Sequence, residues 1–472
     1  MNTLKRILAL TAAATSLLSV TVSCNKKKSD SSAKDDSSVS DGDTTQPPTE
    51  PVTEDPDKMT ITWLGDFSIN PESGEPRSTA LALFEDQYGG KINYIRSTPG
   101  ENLSILDSMI AAGEPLDLFP YYPEYFPQGV MKDRFEPLDP YFDTLEFNSD
   151  LWKDIKPAAD AFAYNGQHYV LPYSMSDPLV LTYSRQVMKD NGFEDPYKLY
   201  TEGKWTWDVF MEMMEKFVAV PSPDWTPKYG IAGSFGQGVI PSAGKTVVSY
   251  ENGKLVSNIM SPEIQKAQEL MSSISAKNLY RRDVLGSFPT NGCTLFFADN
   301  GWSIGESNAK NPDRDIMIVP FPKSKEASGY TFSGSYNARM LVKNANNPEA
   351  AATYIKCERL AASDKKCLES AKKHALEEVK TSAGIVRSVM TGEQYDALMS
   401  FCDPAKFAPA VEFGYGMGDS MNTMGNYTYE TRGVMNNLEM KMLEVNSAEF
   451  KWEDMRDDCK SKIEKALAEY NK

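Results

Sequence analysis

An α/β protein of two lobes is the fold class this sequence predicts, and three observations carry it. The chain has 472 residues, more than one hydrophobic core usually organises. Strand and helix signals alternate as βαβαβ near the start of the folded part, which calls for a parallel sheet covered by helices. The stretch GQHYVLPYSMSDPLVLTYSR, residues 166–185, reads as two short strands split by a polar step. Such a segment suits a chain that leaves one lobe and enters another.

The chain opens with an export signal. Lys5 and Arg6 give it a positive start, and ILALTAAATSLLSV is apolar but too short for a comfortable membrane span. Thr21-Val22-Ser23-Cys24 follows, with small residues before a cysteine. Residues 25–57 are Ser, Asp, Thr and Pro without hydrophobic periodicity. They cannot bury enough apolar surface to order themselves and read as a tether, one that spans on the order of 30 Å as a flexible coil. Lys26, Lys27 and Lys28 at its start suit anionic headgroups. No later run is long and apolar enough to cross a membrane.

The folded part begins with MTITWL, whose alternation predicts a strand, and Gly65-Asp66-Phe67-Ser68 is the polar loop at its carboxyl end. A helix is expected over 78–88, stopped by Gly89-Gly90. KINYIR is a second strand. Residues 102–112 read as a helix with Leu103, Leu106, Met109 and Ile110 on one face, ended by Gly113. Leu116-Asp117-Leu118-Phe119 is a third strand. Ligands of open α/β sheets sit at the carboxyl ends of strands. That singles out Asp66-Phe67-Ser68, Ser97-Thr98 and Tyr121-Tyr122-Pro123-Glu124.

HYVLPY and LVLTYS are the two strands of the crossing. Pro178 interrupts the ladder between them. Asp177 sits at that point with Tyr173 close by, so ligand is expected beside it. Downstream, Thr206 is a possible N-cap before the stripe Val209, Phe210, Met213, Met214 and Phe217. Trp205 and Trp207 read as packing anchors. Asn252-Gly253 marks a hairpin turn, and Ser261 caps a helix that opens with Pro262. TLFFA is a strand before a polar turn and Trp302. DIMIVPFP is another strand, YTFSGSYNARMLV is extended, and NNPEAAATYIKCERLA is a helix. The tail is helical after the Gly-rich FGYGMG turn.

Composition excludes several functions. A formal charge of −17 argues against nucleic-acid backbones, which demand basic stripes. With Cys24 set aside, five cysteines remain, with neither a CxxC pair nor zinc spacing. Cys357 and Cys367 fall on what reads as one continuous helix, too far apart to bridge, so buried thiols without a disulfide framework are expected. GQGVIPSAGKT fails as a phosphate loop, because Val239 stands where the first glycine belongs. GYGMG lacks dinucleotide-loop spacing. His168 and His374 are the only histidines, and neither lies in a catalytic or metal motif. No catalytic residue, metal or cofactor is assigned.

Taken in order, these segments resemble extracellular solute-binding protein family 1, the maltose-binding-protein-like lipoproteins of ABC transporters. The resemblance runs from Lys58 to Lys472 and rests on the export signal with Cys24, TITWLGDF, AAGEPLDLF, NGQHYVLPYSMSDPLVLTYS, EGKWTWDVF, LFFADNGW, IVPFP and KNANNPEAAATYI. It implies a periplasmic-binding-protein-like fold with discontinuous lobes and a three-crossing hinge. Residues 1–23 become a lipoprotein signal peptide, Cys24 the lipid attachment site and 24–57 the anchored tether. One lobe combines 58–174 with 322–373, and the other 178–318 with 388–472. The crossings fall near 175–177, near 319–321 and within 373–387.

The resemblance also implies a carbohydrate, an oligosaccharide above all, gripped by aromatic platforms and planar polar groups. Carried onto this sequence, the binding residues are Asp66, Tyr121, Glu124, Asp177, Trp302 and Tyr415. Tyr122, Tyr173, Asn300 and Tyr336 join them by proximity. The implied partners are the permease subunits of an ABC importer and the membrane, reached through lipid on Cys24. The implied state is a monomer on the outer face of the cell membrane. Two other classes remain open: an exported glycan-acting enzyme, and a binding or sensor lipoprotein of the same fold without a transport role.

Overall fold

Two large sheets form, and a short crossing after Ser176 leads the chain from the first to the second. The computed structural model describes residues 56–72, 76–222, 226–281, 292–310, 315–380, 386–388, 390–423, 430–440 and 451–471. The expected export signal, Cys24 and nearly all of the expected tether lie outside them.

In chain order, the first half runs β1 (Thr60–Gly65), α1 (Thr79–Tyr88), β2 (Lys91–Arg96), α2 (Asn102–Ala112), β3 (Leu118–Pro120), β4 (Phe135–Glu136) and β5 (Leu171–Ser176). The crossing leads to β6 (Leu179–Ser184), α3 (Trp207–Ala219), β7 (Tyr229–Gly233) and α4 (Gly236–Ser242). The hairpin β8 (Val248–Glu251) and β9 (Lys254–Ser257), α5 (Pro262–Ala276), β10 (Tyr280–Arg281), β11 (Thr294–Asn300) and β12 (Ile316–Pro320) complete that half. Then come β13 (Tyr330–Thr331), β14 (Ser335–Val342), α6 (Pro348–Ser363), α7 (Lys365–Ala375), β15 (Glu378–Lys380) and β16 (Val386–Ser388). The last elements are α8 (Gly392–Phe401), β17 (Phe407–Ala408), α9 (Val434–Met440) and α10 (Trp452–Tyr470).

Local chemistry sets many of these bounds. Ser78 caps α1 by accepting the Leu81 N–H, and Gly89 ends it in the left-handed region at φ 66°. Gly113 ends α2 in the same way. In α3 the buried residues are Trp207, Phe210, Met213, Met214 and Phe217, the expected stripe shifted onto Trp207. Thr206 stands at its N-cap without a side-chain bond; the Trp207 N–H instead bonds the Lys323 carbonyl at 3.0 Å. Trp205 and Trp207 are packing anchors, their indoles donating to the Pro320 carbonyl at 2.8 Å and to Ser242 Oγ at 3.0 Å.

The first sheet has the order β2-β1-β3-β14-β4, with β5 also on β14. β1 is parallel to β2 and β3, whereas β14 is antiparallel to β3, β4 and β5. The second sheet is β10-β7-β11-β6-β12, with β6 antiparallel to both β11 and β12. Every residue of β6 is buried, which explains its Val/Leu run.

Three expectations need correction. HYVLPY was expected to be the strand, but β5 starts at Leu171 and runs to Ser176, the span over which β14 offers a partner. The return to the first sheet comes later than 319–321. Residues 322–332 pack on the second lobe: the Ser324 N–H bonds the Ser242 carbonyl, the Tyr330 hydroxyl bonds the Trp205 carbonyl, and β13 pairs with β17. The crossing therefore follows Phe332, where the Leu179 N–H bonds the Ser333 carbonyl at 2.7 Å. The helix holding Cys357 and Cys367 is not continuous. It breaks at Asp364, whose carboxylate accepts the Cys367 N–H and starts α7. No disulfide joins the five described cysteines; Cys293, Cys357 and Cys459 are buried, and Cys367 and Cys402 half-buried. The third crossing expected within 373–387 covers the end of α7, β15 and part of β16, and its residues 381–385 lie outside the described ones.

Candidate functional site

Strand direction decides which residues meet. β1 and β3 are parallel, and β5 shares their direction because both β3 and β5 are antiparallel to β14. Asp66 after β1, Tyr121 to Glu124 after β3, Asp177 after β5 and Tyr336 at the start of β14 therefore share one edge of the first sheet. In the second sheet Asn300 pairs with Leu179 and Pro320 with Val180. The carboxyl ends of β11 and β12 thus lie at the start of β6, two or three residues from Asp177. Both sheets present strand ends to the same crossing, the place where open α/β folds bind ligands.

The first-lobe edge is a connected cluster. The Tyr122 hydroxyl donates to Asp66 Oδ1 at 2.8 Å. Tyr121 meets Phe162 edge-on at 5.1 Å, and Tyr336 meets the same ring at 5.1 Å. The Tyr336 hydroxyl donates to the Ala410 carbonyl and accepts the Ala410 N–H, tying the hinge strand to the tail. Glu124 is open to solvent, yet desolvation is the first cause raising its carboxyl above the ordinary range, with the Asp66 charge adding. Desolvation likewise raises the half-buried phenols of Tyr121 and Tyr122.

The second-lobe edge forms around Asp177, which adopts a left-handed conformation at φ 46°, one that Asp tolerates better than most residues. Its Oδ1 accepts the Gly301 N–H at 3.1 Å, and its carbonyl accepts Asn300 Nδ2–H at 2.8 Å. The crossing is thereby fastened to the turn after β11. Asp299 accepts the Asn300 N–H at 2.8 Å and the side-chain hydrogen bond of Trp302, so it fixes the indole. Burial pushes both carboxyls up, Asp177 and Asp299 each to about 6.

Two expected residues sit elsewhere. Tyr173 turns into the first lobe, where its ring lies 5.4 Å from the Arg339 guanidinium and its hydroxyl bonds Glu358. The Tyr415 hydroxyl is committed to Glu439. Its turn still touches the site loop: a Cβ on Gly416 would collide with the Phe126 and Pro123 carbonyls. Near it Glu412 accepts the Val247, Val248 and Gly414 N–H groups. Burial pushes Glu412 and Glu439 to about 7 each.

Sequence reasoning missed Asp299, which is hidden among the buried residues of β11, although the polar turn after that strand was a usable signal. It also missed Phe162, which backs two tyrosines from a distant helix-to-strand connection. Both histidines are structural or peripheral: His168 is bonded twice to Asp139 and flanked by Phe142 and Phe147, and His374 faces Glu377. Residues 236–242 form a helix, not a phosphate loop, and a Cβ on Gly236 or Gly238 would strike the Glu439 carbonyl or the Phe321 ring. Among the described residues no group of three or more His, Cys, Asp or Glu could hold a metal, and no helix is long and apolar enough to cross a membrane.

The model of the bacterial extracellular solute-binding protein family matches residues 79–371. No curated protein matches the chain. Among solved structures it is similar to the galacto-N-biose/lacto-N-biose I-binding protein of a Bifidobacterium longum ABC transporter in complex with lacto-N-biose. The TM-score is 0.58 at 13% identity, covering 87% of this chain and 98% of that one. An ABC substrate-binding protein of Listeria monocytogenes in complex with cycloalternan gives 0.57 at 17%, with 87% and 99% covered. The sugar-binding protein MalE of Xanthomonas citri gives 0.59 at 12%, with 87% and 98% covered. At these identities the likeness establishes a shared fold, that of two-lobed binding proteins.

Proposed function

The chain belongs to the bacterial extracellular solute-binding proteins, and from that premise we propose that it captures a carbohydrate, above all an oligosaccharide, between its lobes. The observation that carries the reading is the meeting of two sheet edges at Asp177. One edge bears Asp66, Tyr121, Tyr122, Glu124 and Tyr336; the other bears Asp299, Asn300 and Trp302. A pyranose offers an apolar C–H face and an equator of hydroxyls. Aromatic rings cover such a face, and carboxylates and amides bond the hydroxyls. Neighbours of the same fold were solved with lacto-N-biose, cycloalternan and β-1,6-galactobiose, which supports the sugar class without naming the sugar.

Capture proceeds by closure. A ligand that touches both edges binds the closed arrangement better than the open one and shifts the population toward it. The hinge is formed by the passage at 177–178, the return at 333–334 and the third passage between α7 and α8. Gly334 belongs there physically, since a Cβ on it would lie 2.9 Å from Pro178 Cα and 3.0 Å from the Asp177 carbonyl oxygen. The loaded protein then docks on the permease of an ABC importer, held to the outer face of the membrane by lipid on Cys24. Lys5, Arg6, the apolar run after them and Cys24 motivate that anchor.

Titration calorimetry against a panel of oligosaccharides tests the reading. One-site binding of at least one sugar, with no shortened products after long incubation, is the expected result. Binding of peptides or ions alone would remove the sugar assignment, and turnover would replace it with an exported enzyme.

A further inference from the structure

Among the large apolar side chains left open on the surface, Phe67 stands on the ligand edge. It follows Asp66 directly at the carboxyl end of β1, and 42% of it is exposed. A single exposed aromatic is ordinarily unremarkable. Here the surroundings are built. The Trp63 indole, itself fully buried, folds back over Gly65, where a Cβ would lie 2.8 Å from the ring. That indole donates its Nε1–H to the Phe67 carbonyl at 2.8 Å. The two rings meet at 5.3 Å with planes tilted by 57°.

A second support comes from β14. The Arg339 guanidinium lies 5.6 Å from the Phe67 ring centroid and 4.9 Å from that of Trp63. It is held in turn by Glu358 at 2.6 Å and by the Tyr173 ring at 5.4 Å. A third comes from the loop after β3, whose Tyr122 hydroxyl bonds Asp66, the neighbour of Phe67. Three elements thus fix the backbone and one side of the ring, and the rest of the ring is left open. Exposing an ordered phenyl forgoes the stabilisation of its burial. Ordering it in water is productive when a ligand covers what remains, and rigid support is what makes such a contact selective.

We propose that Phe67 is an aromatic platform of the ligand site, and that the ligand laid on it is a saccharide presenting an apolar C–H face. Asp66, next in the chain, takes a hydroxyl of the same unit or its neighbour. This deepens the carbohydrate reading and rests on it. Arg339 acts as a positioning residue: it touches the platform, not the sugar. Because Arg339 lies on β14 and Tyr173 on β5, the two strands that lead into the hinge, the support of the platform is continuous with the hinge.

The test titrates a panel of neutral mono- and oligosaccharides into the wild-type chain, then into Phe67→Ala, Phe67→Leu and Phe67→Tyr, with a melting temperature for each. Sugars that bind the wild type should bind Phe67→Ala about tenfold or more weakly. Phe67→Tyr, which keeps the flat face, should stay near wild type, and all melting temperatures should be close. Equal affinity of Phe67→Ala and wild type for every bound sugar overturns the platform and leaves the carbohydrate reading standing. A wild type that binds no saccharide overturns that reading and the platform with it. If Phe67→Ala melts far lower, Phe67→Leu decides: wild-type affinity without a ring overturns the platform, and weakened affinity in a stable variant supports it.

Discussion

Replacing Glu439 by glutamine should make stability less dependent on pH, and the size of the effect follows from the pocket around it. Glu439 and Glu412 lie together beside the turn that carries Tyr415, and the charge of Glu439 adds to what raises Glu412. Glu439 is bonded by Tyr415 and Gln237, and Glu412 by three backbone N–H groups. Burial is the first cause that moves both carboxyls from 4.5 to about 7. A group whose folded value is raised keeps its proton in the fold after the unfolded chain has lost it. Folding is then undisturbed below about pH 4.5, becomes less favourable as pH climbs toward 7, and stays so above. For one such carboxyl the loss is about 3 kcal/mol.

Glutamine keeps the shape and the acceptor oxygen for Tyr415 but carries no charge, and it relieves Glu412 of its neighbour. Urea unfolding at pH 4.5, 5.5, 6.5 and 8 is the assay. Wild type and Glu439→Gln should agree within about 1 kcal/mol at pH 4.5, and the variant should be more stable by about 1–3 kcal/mol at pH 8. Asp177 and Asp299, also raised, contribute alike to both chains, so the difference isolates the pair. Parallel pH profiles, or a variant less stable at pH 8, would refute the reasoning.

Three further outcomes follow. Trp302→Ala should weaken sugar binding by about tenfold or more while the melting temperature holds, and calorimetry with unchanged affinity would take Trp302 out of the site. Tyr122→Phe leaves Asp66 without its phenol donor, so affinity should fall several-fold with a stability change of about 1 kcal/mol, checked by titration and urea unfolding together. Tyr250 on the β8–β9 hairpin accepts the Asn165 N–H and donates to Asn165 Oδ1, both at 2.9 Å, which ties the second half of the chain to the turn before β5. Tyr250→Phe should loosen that tie and enlarge the ligand-free particle in small-angle scattering; an identical profile would show the tie has no influence on closure.

Much of this was legible in local sequence, and the failures have a common cause. The bounds of α2 match the reading because its apolar period and Gly113 are both local signals. The Asn252-Gly253 turn is likewise self-contained, with φ of 52° and 81°. The start of β5 and the return to the first lobe were misplaced because distant partners decide them: β14 for the one, and Trp205, Ser242 and β17 for the other. The same distinction holds in the site. Asp177 was offered by the crossing and Trp302 only by the resemblance, and the bond from Trp302 to Asp299 exists only once β11 is folded. Tyr173 looked like a site residue because it is near Asp177 in sequence, yet strand alternation and Arg339 turn it inward.

The central claim is that a saccharide binds where the two sheet edges meet at Asp177. Calorimetric titration of oligosaccharides into wild type and Trp302→Ala, side by side, tests it most directly. One saturable site in the wild type, lost or strongly weakened in the folded variant, is the predicted result. A sugar bound equally by both chains, or a wild type that binds none, would contradict it.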